Sequence, residues 1–351
     1  MLLTSIKLKN FRSFEEREFM INRNLTVVVG DNAKGKTNLL EAIHSVLFGT
    51  GFRNSQEVEL FNNAADHDDG FVEATFEDEG DNIHIYRLAL QKRGSRLLKA
   101  YFIDKTRKIS RDYLKDISKA VLFAPEHIVV VVGAPSRRRE YLNRFISSYD
   151  LEYKRRLANY ENALRRRNKI LEKHTDRQAV SAELIYWDQY LAGEAAYITI
   201  AREKYMHFLA QNPTLENCTF SIKYLKNEFN KERLDVHRTQ ELHARRTLIG
   251  PQKDDFEITL SRGEEVKNIH IYGSRGEQRL GILWLKMNEI YIYEEILGGR
   301  PILLFDDVFS EFDQENRQLV GRLIKKYQSI LTTTDAEIPK LFKLKDPSIR
   351  L

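Results

Sequence analysis

The chain has 351 residues, 30% charged and 42% hydrophobic, with 17 Gly and 7 Pro; this globular balance excludes disorder and low-complexity repeats as the main state. One cysteine, Cys218, excludes an internal disulfide, no apolar run approaches the roughly 18 residues of a membrane span, and the opening MLLTSIKLKNF lacks a signal-peptide core, so a cytoplasmic location without membrane contact is expected. The net charge of +5 is segregated: 54–82 holds ten acidic residues and no Lys or Arg, 91–111 holds eight basic residues against Asp104, and 151–177 holds nine against four acidic ones.

In chain order, Ile6 and Leu8 alternate with polar neighbours as in a half-buried strand, and 25–29 is a continuous apolar run, the pattern of a strand buried on both faces. Leu39, Leu40, Ile43, Val46 and Leu47 recur at helical spacing over 36–48. From 71 to 109 apolar and polar residues alternate, broken by turn residues at Glu79-Gly80-Asp81-Asn82 and Gly94-Ser95, which predicts an antiparallel meander carrying the first basic stretch. Pro135 suits a helix start. Tyr153, Leu157, Tyr160, Leu164 and Leu171 follow a four-three alternation interrupted at Arg167, and Leu184, Trp187, Leu191, Ile198, Ala201, Tyr205 and Phe208 repeat it with Glu194 as a gap. With the polar connection 174–178 between them, these read as a helical hairpin whose arms reach about 40 Å. The alternative, a two-stranded coiled coil, needs about three or four unbroken heptads. A turn at Gly250-Pro251, a strand over 256–260, an amphipathic helix over 278–297 and buried strands over 301–305 and 329–333 complete the chain.

Gly30-Asp31-Asn32-Ala33-Lys34-Gly35-Lys36-Thr37 fits G-x-x-x-x-G-K-[ST] and lies between a predicted strand and a predicted helix, where such a loop must lie. Gly30 and Gly35 let the backbone wrap its N–H groups around a β-phosphate, and the helix N-terminus adds a favourable dipole. Lys36 would bridge β- and γ-phosphate oxygens and Thr37 would offer its hydroxyl to Mg²⁺, so ATP with Mg²⁺ is the expected ligand. Pro301-Ile302-Leu303-Leu304-Phe305-Asp306-Asp307 is an apolar strand ending in carboxylates. Asp306 is expected to meet the metal through water and Asp307 to polarise the attacking water, the alternative being an acidic turn after a core strand. Tyr272-Gly273-Ser274-Arg275-Gly276-Glu277-Gln278 matches S-x-G-x-Q at a helix start, the pattern with which ABC-type ATPases touch a γ-phosphate held by another subunit, although Ser and Gly open many helices. Ser310-Glu311-Phe312-Asp313 suits a dimer-interface loop, whereas Gly250-Pro251-Gln252-Lys253-Asp254-Asp255-Phe256-Glu257 reads only as a turn followed by a strand.

Together, Lys9-Asn10-Phe11-Arg12-Ser13-Phe14, GDNAKGKTNLLEAI, GPQKDDFE, YGSRGEQR and LLFDDVFSEFD make the chain resemble the RecF family of bacterial recombination and gap-repair ATPases, from residue 2 to about 340. The resemblance implies an α/β fold, a P-loop ABC/SMC-type ATPase head with an antiparallel β subdomain built from 1–135 and 246–351. A small α-helical lid domain, 136–245, would stand where SMC proteins insert their long arms. It further implies that 30–37 hold ATP, that Lys36, Asp306 and Asp307 are catalytic, that Thr37 and Asp306 face Mg²⁺, and that Ser274 and Gly276 meet the γ-phosphate bound by a second copy. Arg12 resembles the arginine that SMC-type heads place near the nucleotide, the alternative being a surface cation after a strand. Two positions depart from ABC-type sites: Glu126 or Pro125 replaces a glutamine that reaches Mg²⁺, and Thr334 replaces the switch histidine, both suiting a slow ATPase.

The expected function is an ATP-gated clamp, a homodimer with weak DNA-stimulated ATPase activity that binds double-stranded DNA near gaps or single-strand/double-strand junctions. Lys92, Arg93, Arg96 and Lys99 of the meander, with Arg137, Arg138 and Arg139, would contact phosphates without reading sequence; the alternative for each run is a solvated face. The resemblance implies RecR and RecO as partners and recombinase loading as the outcome. A transporter motor subunit and an ATP-binding scaffold without turnover share the same nucleotide motifs.

Overall fold

In the computed structural model, which describes residues 1–53, 56–173, 177–310, 314–344 and 348–351, the N-terminal alternation becomes β1 (Leu2–Phe11), with Leu3, Ile6 and Leu8 fully buried. It pairs antiparallel with β2 (Phe14–Met20). The apolar run forms β3 (Leu25–Val29) and leads through 30–35 into α1 (Lys36–Phe48). Gly35 takes φ 98°, a left-handed conformation glycine adopts without strain, and Gly49 closes α1 at φ 73° with its N–H on the Ser45 carbonyl. The meander follows as β4 (Asp69–Glu77), β5 (Ile83–Arg93), β6 (Arg96–Ile103) and β7 (Thr106–Lys108), making one antiparallel sheet ordered β2-β1-β4-β5-β6-β7. After α2 (Ser110–Asp116), β8 (Ala120–Phe123) is buried at every position.

His127–Asn288 forms a second unit, distinct from the unit of Met1–Glu126 and Glu289–Leu351. It opens with α3 (Val129–Val132) and α4 (Pro135–Tyr149), whose Pro135 sits in the first turn, where its missing N–H costs nothing. α5 (Leu151–Lys173) and α6 (Arg177–Gln211) are the predicted hairpin; 174–176 of the polar connection lie outside the described residues. The two breaks in its apolar pattern are buried charges with partners. Arg167, fully buried, donates to Asp188 at 2.7 Å, Glu241 at 2.6 Å and Thr247 at 2.7 Å, and Glu194 accepts from Arg156 at 3.4 Å. A polar core of this kind belongs to a helical unit packed on further elements, not to a coiled coil.

Those further elements are β9 (Thr214–Leu215), β10 (Cys218–Leu225), α7 (Lys231–Ala244), β11 (Asp255–Arg262), β12 (Glu265–Asn268), α8 (Ile269–Tyr272) and α9 (Arg275–Leu297), with the strands in a sheet ordered β12-β11-β10-β9. The segment 250–257, legible in sequence only as a turn and a strand, is their polar hub. The buried Asp254 carboxylate accepts from Arg202 at 2.5 Å, from the Asn227 N–H at 2.7 Å and from the Tyr224 hydroxyl. Asp255 takes both arms of Arg138, at 2.6 and 3.0 Å, and Gln252 accepts from the Tyr160 hydroxyl.

The chain re-enters the first unit at Glu289, within α9, and continues with β13 (Ile302–Asp306), α10 (Gln314–Lys326), β14 (Ser329–Thr333), α11 (Ile338–Leu341) and β15 (Ile349–Arg350). Its parallel sheet, ordered β15-β3-β14-β13-β8, draws strands from both ends of the sequence, as expected. The domain boundaries differ from expectation: 127–135 and 246–288 go with the helices, because β10, β11 and β12 pair in a sheet of their own that Arg138, Arg202 and Asp254 tie to α4 and α6. The second unit is therefore mixed α/β and not purely helical. Among the described residues, no helix is long and apolar enough to cross a membrane.

Candidate functional site

The loop 30–35 leaves the end of β3, and Asp306 ends β13, with β14 between the two strands. Parallel pairing therefore brings both motifs to one edge. Thr37 Oγ1 donates to Asp306 Oδ1 at 3.0 Å, and Thr332 Oγ1 lies 2.9 Å from the same oxygen. The Gly30 N–H meets the Thr333 carbonyl at 3.3 Å. Lys36, only 7% exposed, places two of its three N–H donors on the carbonyls of Gly30 (2.7 Å) and Asp31 (2.9 Å). Asp31, Asn32, Ala33 and Lys34 form the exposed rim of the loop.

Burial pushes the Asp306 carboxyl above its ordinary pKa, against hydrogen bonds from Thr332 and Thr37; the charge of Glu126 adds to the rise and that of Arg53 opposes it. Glu126, in the turn after β8, is exposed, as is Thr334 just past β14. Asp307 holds φ 51°, left-handed for a non-glycine residue, with its N–H on the Thr332 carbonyl at 3.2 Å. A buried carboxylate joined to a threonine hydroxyl is the hard-oxygen donor set Mg²⁺ takes, so Thr37 and Asp306 fit that ion.

Arg12 is not a surface cation. Its guanidinium, 11% exposed, grips the fully buried Glu41 carboxylate of α1 at 2.7 and 3.1 Å, and Arg53 reaches the same group at 3.5 Å. Glu41 and Arg53 escaped the motif reading. The available signal was a carboxylate embedded among Leu39, Leu40, Ala42 and Ile43 on a core-facing helix.

In the second unit, Ser274 caps α9. Its Oγ accepts from the Glu277 N–H at 3.3 Å while the Glu277 carboxylate accepts from the Ser274 N–H at 2.8 Å, a capping box that Lys267 braces at 2.8 Å. A Cβ built on Gly276 would meet nothing within 4 Å, so nothing within the described structure demands a glycine there. Residues 311–313 of the expected dimer-interface loop lie outside the described residues.

The basic runs divide into exposed and occupied members. Arg93 and Arg96 are exposed and directly opposite each other at the end of the β5–β6 hairpin, with no ion pair to either among the described residues. Like charges so placed repel. Lys92 approaches Asn63 at 3.4 Å, and Arg137 pairs on the surface with Glu140 at 3.1 Å. Lys99, by contrast, clasps the Gly49 carbonyl at 2.9 Å and the Glu57 carboxylate. Arg138 is buried on Asp255, and Arg139 donates to the Asp254 carbonyl at 2.9 Å. Lys99, Arg138 and Arg139 thus hold the fold together, because acceptors distant in sequence meet them.

A family model described as RecF/RecN/SMC N terminal domain matches residues 2–341. The chain is 30% identical over 359 residues to the DNA replication and repair protein RecF of an Exiguobacterium species, covering 96% of this chain and 93% of that one. It is 30% identical over 378 residues to the DNA replication and repair protein RecF of Clostridium tetani, covering 99% and 97%. A solved structure of the recombination mediator protein RecF-ATPrS in the RecFOR pathway matches with TM-score 0.83 at 28% identity, covering 95% of this chain and 92% of that one. The Smc head domain of Pyrococcus furiosus, at 18% identity and TM-score 0.51, covering 95% and 90%, shares the fold.

Proposed function

Since the chain belongs to the RecF/RecN/SMC N-terminal-domain family and its fold is that of an ABC/SMC-type ATPase head, we propose that it is a RecF-type DNA-repair ATPase. Two copies close on ATP, bind duplex DNA beside single-strand gaps, promote recombinase loading, and part on hydrolysis. The observation that carries this reading is the bond from Thr37 to Asp306, which joins the phosphate loop to the acidic strand.

Thr37 and Asp306 would hold Mg²⁺, which would supply charge neutralisation for the nucleotide's phosphates. Lys36 exchanges its two loop carbonyls for phosphate oxygens, and the α1 N-terminus holds further negative charge. Asp307 orients the attacking water. Ser274 and Gly276 of the second copy, at the positive end of α9, complete the surroundings of the γ-phosphate. Glu126 and Thr334, in place of a glutamine and a histidine, leave turnover slow. Arg93 and Arg96, with Lys92 and Arg137, supply sequence-independent phosphate contacts. RecR and RecO are the partners proposed, because the solved RecF relatives act in the RecFOR pathway.

Sedimentation with and without ATP and duplex DNA tests the reading. The wild type should dimerise with ATP, Lys36→Arg should stay monomeric, and Asp307→Asn should accumulate as dimer. A monomer indifferent to ATP overturns the clamp; wild type and variants that function alike would leave a scaffold.

A further inference from the structure

The helical hairpin carries an aromatic group at its surface, with Tyr186 exposed and Trp187 and Tyr190 half-buried. On α6, Leu184, Asp188 and Leu191 face inward, while Ile185 and Tyr186 are 58% and 61% exposed. Tyr186 and Tyr190, one turn apart, have ring centroids 6.2 Å apart and planes within 26°, and Trp187 lies edge-on to Tyr186 at 5.0 Å. From α5, the Arg166 guanidinium sits 5.4 Å from the Trp187 ring centre, and Arg165 and Lys169 are exposed on the same helix. Elsewhere on α5, Arg155 and Arg156 pair with Glu152, and Arg167 with Asp188 and Glu241. The Arg165 charge acts on Glu161, whereas Arg166 and Lys169 have no ion pair among the described residues.

We propose that this face binds single-stranded nucleic acid, with bases stacked on Tyr186 and Tyr190 and phosphates met by Arg165, Arg166 and Lys169. Stacking tolerates any sequence because every base has a π-face, and a guanidinium beside an indole adds cation–π attraction. Exposed aromatics on a helix give up helix propensity and leave apolar surface in water, a cost that a ligand repays. A protein partner would also anchor on aromatics and Arg, but Lys is depleted in such interfaces, and α5 exposes Lys169 with Arg165 and Arg166, a basic face suited to a polyanion. The assignment rests on the nucleic-acid reading of the chain and is separate from the duplex contacts at Arg93 and Arg96.

The test uses the full chain, with labelled oligo-dT and a duplex of equal length, read by anisotropy and by tryptophan fluorescence. Trp284, 1% exposed and stacked on Phe220 at 4.9 Å, is shielded, so quenching by oligo-dT reports Trp187. Tyr186→Ala with Tyr190→Ala should lower oligo-dT affinity about ten-fold or more and abolish the quench, leaving duplex affinity and melting temperature unchanged. The paired Phe variants should bind as the wild type, and Arg166→Glu should weaken oligo-dT binding and flatten its salt dependence. Arg93→Glu with Arg96→Glu should show the opposite profile, so the two readings fail separately. Unchanged oligo-dT affinity in the Ala variant, or equal loss for duplex, overturns the proposal; unchanged affinity with lost self-association would assign the face to a second copy.

Discussion

Asp306 and Glu41 are both buried carboxylates near the phosphate loop, and their surroundings make them opposites. Burial raises the Asp306 pKa, against hydroxyl donors that lower it and with no bonded cation among the described residues. With the folded value above the unfolded one, the folded state holds the proton more tightly. No penalty exists below the unfolded value, and stability falls as pH rises through the folded value. At neutral pH without Mg²⁺, Asp306→Asn should therefore stabilise the protein by about 0.5–2 kcal/mol while abolishing Mg²⁺-dependent nucleotide binding; calorimetry with and without Mg²⁺ checks both halves. Glu41 is bound by Arg12 and Arg53. Glu41→Gln removes the buried anion of this cluster, leaving Arg12 the exposed Glu59 at 3.7 Å, and should cost about 3 kcal/mol, seen as a lower melting temperature even without nucleotide.

Among the elements, α1, β3 and β14 fall where the sequence predicts, since a glycine loop, a left-handed cap and short apolar runs are local signals. The hairpin was equally legible, but its gaps at Arg167 and Glu194 read only as interruptions, and the buried ion pairs that fill them come from the fold. What stayed hidden has one physical cause: a charge buried through a distant partner looks like a surface charge in sequence. Arg138 meets Asp255, 117 residues away, and Arg202 meets Asp254, 52 away. Arg138→Gln should thus destabilise the second unit by about 2–3 kcal/mol through the orphaned Asp255. Arg137→Glu, on the exposed side of the same helix, should leave melting unchanged and weaken duplex binding. Melting curves and duplex affinity as a function of salt separate the two.

For the whole molecule, the proposed dimer makes a demand on the surface around Ser274. Val266, Ile271 and Tyr272, 64%, 62% and 72% exposed, place apolar area beside the α9 cap. In a closed dimer that area leaves water. Tyr272→Ser should weaken ATP-dependent dimerisation about ten-fold or more in sedimentation, with nucleotide binding by the monomer intact.

The parallel sheet also fixes a timetable. Both neighbours of β3, the strand that carries the phosphate loop, come from the far end of the chain: Leu25 pairs with Ser329, and Val28 with Ile349. A ribosome adding about 5–20 residues per second would leave β3 without a hydrogen-bonding neighbour for roughly 15–60 s. The meander and the helical hairpin find their partners locally during that interval. The ATP site cannot assemble until late in translation, so a nascent chain stalled before β14 would expose an unpaired Val-rich strand to chaperones and would bind no nucleotide.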